Sequence, residues 1–240
     1  IWPAMLMSAG EDPPEQLFIH GYVLKGGERM SKTTGNIVDP FPFIEDYGLD
    51  AMRYYLAREI RFGEDGTFTH EGFVARYEGE LANEFGNLLN RTVNMISRYR
   101  DGVVPADPGG DADFAAEVER IVAEVHGHFD VHDVTRASET AWALVRALNQ
   151  LVEQRAPWKL AKDPDATADL DQALYSLAEG LRVAAVILWP FMPGSCEALL
   201  GALGQDPEAV GVEATRMGAG RPGASVTAVP PLFPKIEVDG

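Results

Sequence analysis

Apolar side chains recur at steps of three or four residues over four long stretches of the chain, and this spacing predicts amphipathic helices. The first stretch, residues 70–99, predicts one helix that Gly79 and Gly86 interrupt only softly. The positions that form its buried face are Phe73, Tyr77, Leu81, Phe85, Leu88, Thr92, Met95 and Tyr99. The other predicted helices cover residues 112–128, 133–155 and 167–189. Helices that each bury one face pack naturally as an antiparallel bundle.

Three side chains stand where the start of a helix needs a cap. A Ser, Thr, Asp or Asn at this point accepts hydrogen bonds from backbone N–H groups that have no partner in the helix. Thr69, Asp133 and Thr167 are the predicted caps. A shorter helix is predicted at about residues 195–203, and the apolar residues 230–236 of the Gly- and Pro-rich tail are expected to dock as an extended strand against the body.

The part of the chain before these helices has a mixed pattern. Residues 1–9 are predicted to form the end of a helix, residues 16–24 a strand rich in β-forming side chains, and residues 25–36 a glycine-bearing loop. Two short helices are expected after Pro40, and residues 61–69 are expected to form a loop or a small hairpin. The chain is therefore predicted to be mainly α, with a short α/β segment before a helix bundle.

Composition and charge exclude several classes of protein. With 240 residues, 46% of them hydrophobic, the chain is not mainly disordered. Its longest apolar run, residues 183–192, is far shorter than the roughly 20 residues of a membrane-spanning helix, so no membrane partner is expected. The single cysteine, Cys196, forms no internal disulfide, and a secretory leader is lacking, so a cytoplasmic location is predicted. The net charge of −17 restricts any RNA contact to a few local cations and aromatic rings.

One loop has the side chains that phosphate binding requires. Arg29 and Lys32 are two cations three residues apart, and Ser31 and Thr33 place hydroxyls on both sides of Lys32. Gly35 leaves the backbone open to close approach. Lysine brings a point charge to a polyphosphate, and arginine bonds it in a forked manner. Charge spacing alone leaves open the alternative of a surface loop with two ordinary basic residues.

A polar stripe runs beside the apolar face of the first long helix. Asn87, Arg91, Asn94 and Arg98 follow steps of four, three and four residues, which places them on one side. A solvated face is the alternative interpretation. Trp158 comes just after a predicted helix end, where a large aromatic side chain is either core or an exposed stacking platform, and spacing alone favours core.

These motifs together resemble a known family. Residues 29–33, Arg-Met-Ser-Lys-Thr, resemble the Lys-Met-Ser-Lys-Ser loop of class I aminoacyl-tRNA synthetases, with Arg for the first lysine and Thr for the last serine. Residues 47–66, residues 82–91 (Ala-Asn-Glu-Phe-Gly-Asn-Leu-Leu-Asn-Arg) and residues 156–158 (Ala-Pro-Trp) are similar specifically to methionyl-tRNA synthetases. Isoleucyl, valyl, leucyl and cysteinyl relatives share the loop but not this combination, and the resemblance covers essentially the whole chain.

The resemblance implies the C-terminal half of a larger enzyme. It implies the end of a Rossmann-like nucleotide-binding domain at residues 1–40, a connecting segment at 41–75, an antiparallel helix-bundle anticodon-binding domain at 76–203 and a tail that folds back at 204–240. The family's His-Ile-Gly-His motif, zinc-bearing insertion and most of its methionine pocket precede the segment that corresponds to Ile1. We therefore expect no metal site here, and we expect a missing N-terminal half or a partner that supplies it.

The family's chemistry is ATP-dependent ligation of methionine to tRNA. Methionine attacks the α-phosphate of ATP, held with Mg²⁺, and methionyl-adenylate and pyrophosphate form before transfer to the tRNA. The resemblance places Lys32 on the leaving pyrophosphate, with Arg29 as its weaker partner. A purely structural strand is an equal alternative for His20, and Val23 would act through its backbone. The nucleotide-binding residues that the resemblance implies are His20, Gly21, Val23, Arg29, Ser31 and Lys32.

The resemblance also implies an RNA partner. Asn87, Arg91 and Trp158 match the residues of the family that read the anticodon, so the implied partner is tRNA(Met) with a CAU anticodon. Unstacked bases read by an aromatic ring and a few forked donors require no broad basic surface, which agrees with the acidic composition. A non-catalytic tRNA-binding module, or one subunit of a split synthetase, is the alternative function. The isolated chain is expected to be inactive as a ligase.

Overall fold

The computed structural model describes residues 1–33, 35–61, 63–109 and 111–236 of the chain. Within these ranges a small mixed α/β part comes first and a helical part follows, which confirms the predicted fold class. The elements of the first part are α1 (Trp2–Ser8), β1 (Val23–Lys25), β2 (Glu28–Arg29), α2 (Phe41–Tyr47), α3 (Leu49–Glu59) and β3 (Gly66–Phe68).

The sheet has three short strands in the order β2-β1-β3. β1 and β2 form an antiparallel hairpin with Gly26 and Gly27 between them, at φ values of 62° and 78°. A two-residue turn with both φ values positive fits the twist of a hairpin and strongly favours glycine. β3 pairs with β1 in parallel, with Val23 opposite Gly66. The hairpin is thereby joined to the chain that leads into the first long helix.

Three predictions for this part need correction. The predicted strand at residues 16–24 is wrong over most of its length, because only its last two residues belong to β1. A strand needs a neighbour to complete its hydrogen bonds, and residues 16–21 pair with no strand within the described ranges. The predicted loop at residues 25–36 contains β2. The predicted loop or hairpin at residues 61–69 contains β3, which pairs with β1 and does not fold back on itself.

An aromatic cluster packs the first part against the helix that follows it. The ring of Phe43 on α2 meets those of Phe68 and Phe73 edge to face, with centroids 5.0 and 5.1 Å apart. The ring of Tyr47 meets Phe73 in the same way at 5.0 Å. Edge-to-face pairs add to the stabilisation from burial. The cluster therefore fixes α2 and β3 against the helical part.

Residues 70–99 form one continuous helical rod, as predicted, with a wider turn in its middle. The rod consists of α4 (His70–Arg76), a π-helix (Tyr77–Gly86) and α5 (Asn87–Tyr99). The apolar positions from Phe73 to Phe85 recur in three successive steps of four, and each such step overshoots one α-helical turn by about 40°. The π-helix has more residues per turn and absorbs this drift. The predicted soft interruptions, Gly79 and Gly86, both lie in the π-helix.

The bundle confirms the other predicted helices. Its helices are α6 (Ala112–Asp130), α7 (Val134–Arg155), α8 (Pro157–Leu160), α9 (Thr167–Leu188) and α10 (Pro193–Ala202). α7 packs against both α6 and α9, and Trp142 of α7 is fully buried. α9 is buried on all sides from Ser176 to Leu188, as expected of a central helix. No helix in the described ranges combines the length and the apolar character needed to cross a bilayer.

Two of the three predicted caps are confirmed. The side chain of Thr69 accepts a hydrogen bond from Gly72 N at 3.1 Å, and the side chain of Asp133 accepts one from Arg136 N at 3.0 Å. Thr167 is not a cap, because it is already the first helical residue of α9. Its hydroxyl donates to the carbonyl of Pro164, in the 3₁₀ turn Pro164–Ala166 that leads directly into the helix.

The tail contacts the body, but residues 230–236 form no strand there, so the predicted extended strand is wrong; three of these residues are prolines, which cannot donate to a strand ladder. Phe233 is buried against the core, and the hydroxyl of Tyr77 donates to the carbonyl of Pro234 at 2.7 Å. Val226 N donates to Gly102 O at 2.8 Å, next to an isolated antiparallel bridge at residue 103. The tail is extended here, although it adds only this single bridge.

A buried ion pair holds the earlier part of the tail. Glu179 and Arg182 on α9 lie 2.7 Å apart, and their side chains are only 7% and 5% exposed. Glu179 also accepts from Gly218 N at 2.7 Å, and Arg182 donates to Arg216 O at 2.6 Å. One pair of charges thereby clamps the tail to the central helix.

Candidate functional sites

The signature loop, residues 29–36, forms a second small hairpin beyond β2. Ser31 N donates to Asn36 O at 3.0 Å, and Gly35 turns the chain with a φ of 70°. At the base of the loop, Lys25 Nζ donates to Ile37 O at 2.9 Å. Lys32 therefore projects at the exposed tip of a loop that is closed at its base.

The two cations of the loop are held differently. The guanidinium of Arg29 lies 4.2 Å from the ring centroid of Tyr22, a cation–π contact. The ammonium of Lys32 makes no ion pair and no hydrogen bond with the part of the chain that the structure describes, although Glu28 is near in sequence. The ammonium of Lys32 is thus available for an anion, whereas Arg29 must leave an aromatic face to reach one.

Three of the predicted nucleotide-binding residues line one cavity. His20, Gly21 and Val23 border a space of about 220 Å³ together with the end of α3 and the start of α7. The ring Nδ1 of His20 lies 2.8 Å from Gly21 O. A Cβ at Gly21 would stand 2.0 Å from Glu64 O, so only glycine fits there. Ser31 and Lys32 lie on the loop beyond β2 and do not line this cavity.

Asp65 is a residue at this site to which the sequence assigned no role. Its side chain accepts a hydrogen bond from Tyr22 N at 2.7 Å, directly before β1, while Tyr22 O accepts one from Gly66 N at 3.0 Å. These bonds align the entry to β1 with β3. Sequence reasoning missed them because the partners are more than forty residues apart, and an isolated aspartate in a loop gives no local signal.

The second site joins Arg91 of α5 and Trp158 of α8. The guanidinium carbon of Arg91 lies 6.0 Å from the ring centroid of Trp158. Nη2 of Arg91 pairs with Glu153 Oε1 on α7 at 2.7 Å. Trp158 is half-buried and packs at the edge of the core, so neither full burial nor a free platform describes it. Glu153 was missed from the sequence, because its pairing with Arg91 joins two helices that are distant along the chain.

A sharp turn between α7 and α8 places Trp158. Ala156 has a left-handed backbone, with φ of 43° and ψ of 62°, which a non-glycine residue adopts only at a cost of about 1–2 kcal/mol. Pro157 then opens α8, where its missing N–H is not needed. The turn brings the indole of Trp158 back beside α5.

Asn87 lies one helical turn before Arg91 and is exposed. It lines a cavity of about 280 Å³ between the rod and the tail. Asn94 and Arg98 continue the predicted polar stripe on the surface. Three elements therefore converge on the Asn87–Arg91 face of α5, namely α7, α8 and the tail.

No group of three or more His, Cys, Asp or Glu side chains gathers anywhere in the described residues in a way that would hold a metal ion. The thiol of Cys196 is fully buried, and burial, together with Asp50, raises its pKa. A protonated, enclosed thiol is a poor metal ligand.

Two family models match the chain along most of its length. Residues 1–93 match the model described as tRNA synthetases class I (M), and residues 105–240 match the anticodon binding domain of methionyl tRNA ligase. The chain belongs to the methionyl-tRNA synthetase family. The predicted resemblance is thereby confirmed.

Individual methionyl-tRNA synthetases agree with this assignment. Methionine–tRNA ligase of Lactococcus lactis is 42% identical over 242 residues, and that of Bacillus subtilis is 40% identical over 243 residues. Each alignment covers 99% of this chain but only 36% and 37% of the relative, so the chain spans little more than a third of their length. The structure of Mycobacterium tuberculosis methionyl-tRNA synthetase in complex with methionyl-adenylate matches with a TM-score of 0.87 and 38% identity, over 98% of this chain and 47% of that one.

Proposed function

We propose that the chain is part of a methionine–tRNA ligase, which forms methionyl-adenylate from ATP and methionine and transfers the amino acid to tRNA. The observation that carries the proposal is the contact between Arg91 and Trp158 on a bundle of the anticodon-binding family. Within the proposal, residues 1–40 end the nucleotide-binding domain, residues 41–75 connect, residues 76–203 bind the anticodon and residues 204–240 fold back. We assign the enzyme to the cytoplasm.

The nucleotide chemistry in this proposal centres on Lys32. Its unpaired ammonium at the loop tip reaches the pyrophosphate as negative charge develops, with Mg²⁺ as the counter-ion of ATP. A positioned donor of this kind contributes on the order of 3 kcal/mol to transition-state stabilisation. Arg29 assists less, since its stacking on Tyr22 must first be given up. Ser31 orders the loop through its bridge to Asn36.

The strand before the loop supports the adenine in this proposal. Gly21 brings the backbone of this segment against Glu64, and Asp65 aligns it with β3. His20 and Val23 then border the same cavity, Val23 acting through its backbone. The chain spans little more than a third of its relatives' length, and the family resemblance implies that the methionine pocket lies outside it, so we expect the chain alone to be inactive as a ligase.

Arg91 and Trp158 are suited to an unstacked base of a CAU anticodon. The half-exposed indole offers a face for stacking, and the guanidinium keeps donors beyond the one paired with Glu153. That pair is largely exposed on the Glu153 side, and such surface pairs contribute only about 0–1 kcal/mol. A base edge can therefore compete for Arg91, so the acidic partner does not prevent RNA binding.

The test is binding of tRNA(Met) to the chain itself. Trp158→Ala should weaken the affinity by about tenfold to a hundredfold, the loss of about 1–3 kcal/mol of base stacking. Arg91→Ala should in addition relax discrimination between CAU and altered anticodons, because a forked donor reads base edges. Trp2→Ala is the matched control, since Trp2 is an exposed indole on α1.

Thermal unfolding measured on the same Trp158→Ala protein separates stacking from packing. A core role alone would lower the melting temperature and leave the affinity per folded molecule unchanged, which would remove Trp158 from the site. The proposed function would be overturned if the wild-type chain bound tRNA with a CAU anticodon no more tightly than tRNA with altered anticodons.

A further inference from the structure

The turn between α6 and α7 touches the segment that leads into β1. The turn consists of residues 131–133, and His132 is at its centre. The ring of His132 lies against that of Phe18, with centroids 4.4 Å apart and planes tilted by 37°. Phe18 comes two residues before His20, the first of the residues that the family resemblance assigns to the nucleotide. The contact therefore links the helix bundle to the segment on which the proposed nucleotide site depends.

His132 has a backbone conformation that normally favours glycine. Its φ is 61°, in the left-handed region. His132 N donates to Phe129 O at 2.9 Å, and Asp133 N donates to His128 O at 2.8 Å, the pair of bonds with which many helices end on a left-handed residue. Glycine is the usual residue at that place, and asparagine is the next best tolerated. The turn alone thus gives no reason for an imidazole, whereas the contact with Phe18 uses its ring.

A second contact lies in the same interface. The hydroxyl of Thr135, in the first turn of α7, donates to Ile60 O at the end of α3 at 3.0 Å. Val134 and Thr135 border the cavity of about 220 Å³ that His20 and Val23 also line. The turn and the start of α7 therefore form one surface against the nucleotide-binding segment.

The two sides of this interface are held differently. The turn is fixed at the end of a packed helix, since Phe129 stacks on Phe191 with ring centroids 5.9 Å apart, and Phe191 is buried. Residues 16–21 belong to none of the described strands, so the ladder of the sheet does not hold them. Side-chain contacts with a fixed neighbour restrict such a segment at little cost, because the turn is already ordered.

We propose that His132 is a positioning residue for the nucleotide. Its ring holds Phe18 and thereby keeps residues 20–23 where they support the adenine of ATP. A residue of the helix bundle then acts on the nucleotide site without touching ATP. This inference rests on the proposed function and adds to it a contribution of the bundle that is separate from RNA binding.

The experiment replaces His132 by asparagine in the full-length enzyme. Asparagine tolerates the left-handed turn and removes the ring, so His132→Asn separates the contact from the shape of the turn. We expect the KM for ATP in ATP–pyrophosphate exchange to rise about two- to tenfold, the range for the loss of one aromatic contact. The value of kcat and the KM for methionine should hardly change, because a contact made equally before and in the transition state affects KM alone.

The matched control is Asp101→Asn, which places the same residue at another exposed left-handed position, with φ of 52°, at the other end of the bundle. It should leave the KM for ATP unchanged. The melting temperature and the tRNA affinity of the chain itself should stay at the wild-type values in His132→Asn, since both Phe18 and His132 are exposed. A lower melting temperature with parallel losses of ATP and tRNA affinity would mean a structural role and would overturn the proposal.

A double-mutant cycle tests whether the contact itself is responsible. Phe18→Leu should raise the KM for ATP to a similar extent, and His132→Asn should add little to it, because both changes remove one contact. Effects that simply multiply, or an unchanged KM for ATP in His132→Asn, would overturn the proposal. In that case exchange by the wild-type enzyme would leave the proposed function standing, whereas a wild-type enzyme without exchange activity would end both.

Discussion

The signature loop and the Arg91–Trp158 contact differ in how the rest of the chain holds them. The loop stands out from a three-stranded sheet, and the ammonium of Lys32 at its tip has no partner among the described residues. Arg91 and Trp158 belong to helices whose other faces are buried; Leu88 and Leu89 of α5, for example, are 0% exposed. The side chain of Lys32 keeps its conformational freedom in this structure, whereas the contact between Arg91 and Trp158 is already formed.

Because of this difference, substitutions in the two regions should affect the stability of the fold and the catalytic activity to different extents. Changes at the loop tip remove little buried area and few bonds, so their effect should appear in catalysis alone. Changes in the bundle alter packing, and an effect on RNA binding must be separated there from an effect on folding. The predictions below test this separation, beginning with the largest expected effect.

Glu179→Ala should produce the largest loss of stability. It leaves the guanidinium of Arg182, which is 5% exposed, without its carboxylate partner, and it removes the acceptor of Gly218 N. Breaking a buried pair in this way costs about 3–5 kcal/mol. Chemical or thermal unfolding of the chain measures the loss.

The control for this change is Glu213→Ala in the same tail. Glu213 pairs with Arg216, but both side chains are at least three-quarters exposed, so the variant should change the stability by well under 1 kcal/mol. If the two changes lowered the stability equally, the buried pair of Glu179 and Arg182 would contribute no more to stability than an exposed ion pair.

Lys32→Ala should produce the largest loss of activity without loss of stability. In the full-length enzyme, adenylate formation should fall by about a hundredfold, because the contact forms mainly in the transition state, while tRNA affinity stays nearly intact. Arg29→Ala should cost less. ATP–pyrophosphate exchange, tRNA binding and the melting temperature are the three measurements.

Lys162→Ala serves as the matched change for Lys32, since it removes an exposed lysine that lies far along the chain, four residues after Trp158. It should leave exchange unaltered. If Lys32→Ala and Arg29→Ala both left the rate of ATP–pyrophosphate exchange within about twofold of wild type, the loop would have only a structural role.

The same contrast explains which parts of the fold were predictable. Helices depend on contacts within a few residues, so the periodic stretches after residue 70 identified them. The strand at residues 16–24 failed because pairing depends on a distant neighbour, and β3 reaches only Val23–Lys25. The π-helix had a signal in the sequence, the three successive steps of four from Phe73 to Phe85, which a straight α-helix does not favour.

The candidate site was predictable only where the family carries a motif. Spacing alone favoured a core role for Trp158, whereas the resemblance implied a role in RNA binding. The indole is half-buried, so one part of it packs against the core and another part is exposed. Glu153 and Asp65 carry no such motif. Their partners, Arg91 and Tyr22, lie 62 and 43 residues away along the chain, so only the folded arrangement identifies them.

Glu153→Gln should have the smallest effect and is the finest test of the RNA contact. Glu153 itself is mostly exposed in its pair with Arg91, so the melting temperature should hardly change. Removing one carboxylate next to the proposed RNA strand also removes repulsion of its phosphates and releases one donor of Arg91. We expect tRNA to bind up to about fivefold more tightly, the factor that corresponds to about 1 kcal/mol, with weaker dependence on the anticodon. Glu124→Gln on α6 weakens the pair of another exposed glutamate, with Arg120, and should leave RNA binding unchanged. Weaker binding in Glu153→Gln would mean that Glu153 orients Arg91 for the base and does not compete with it.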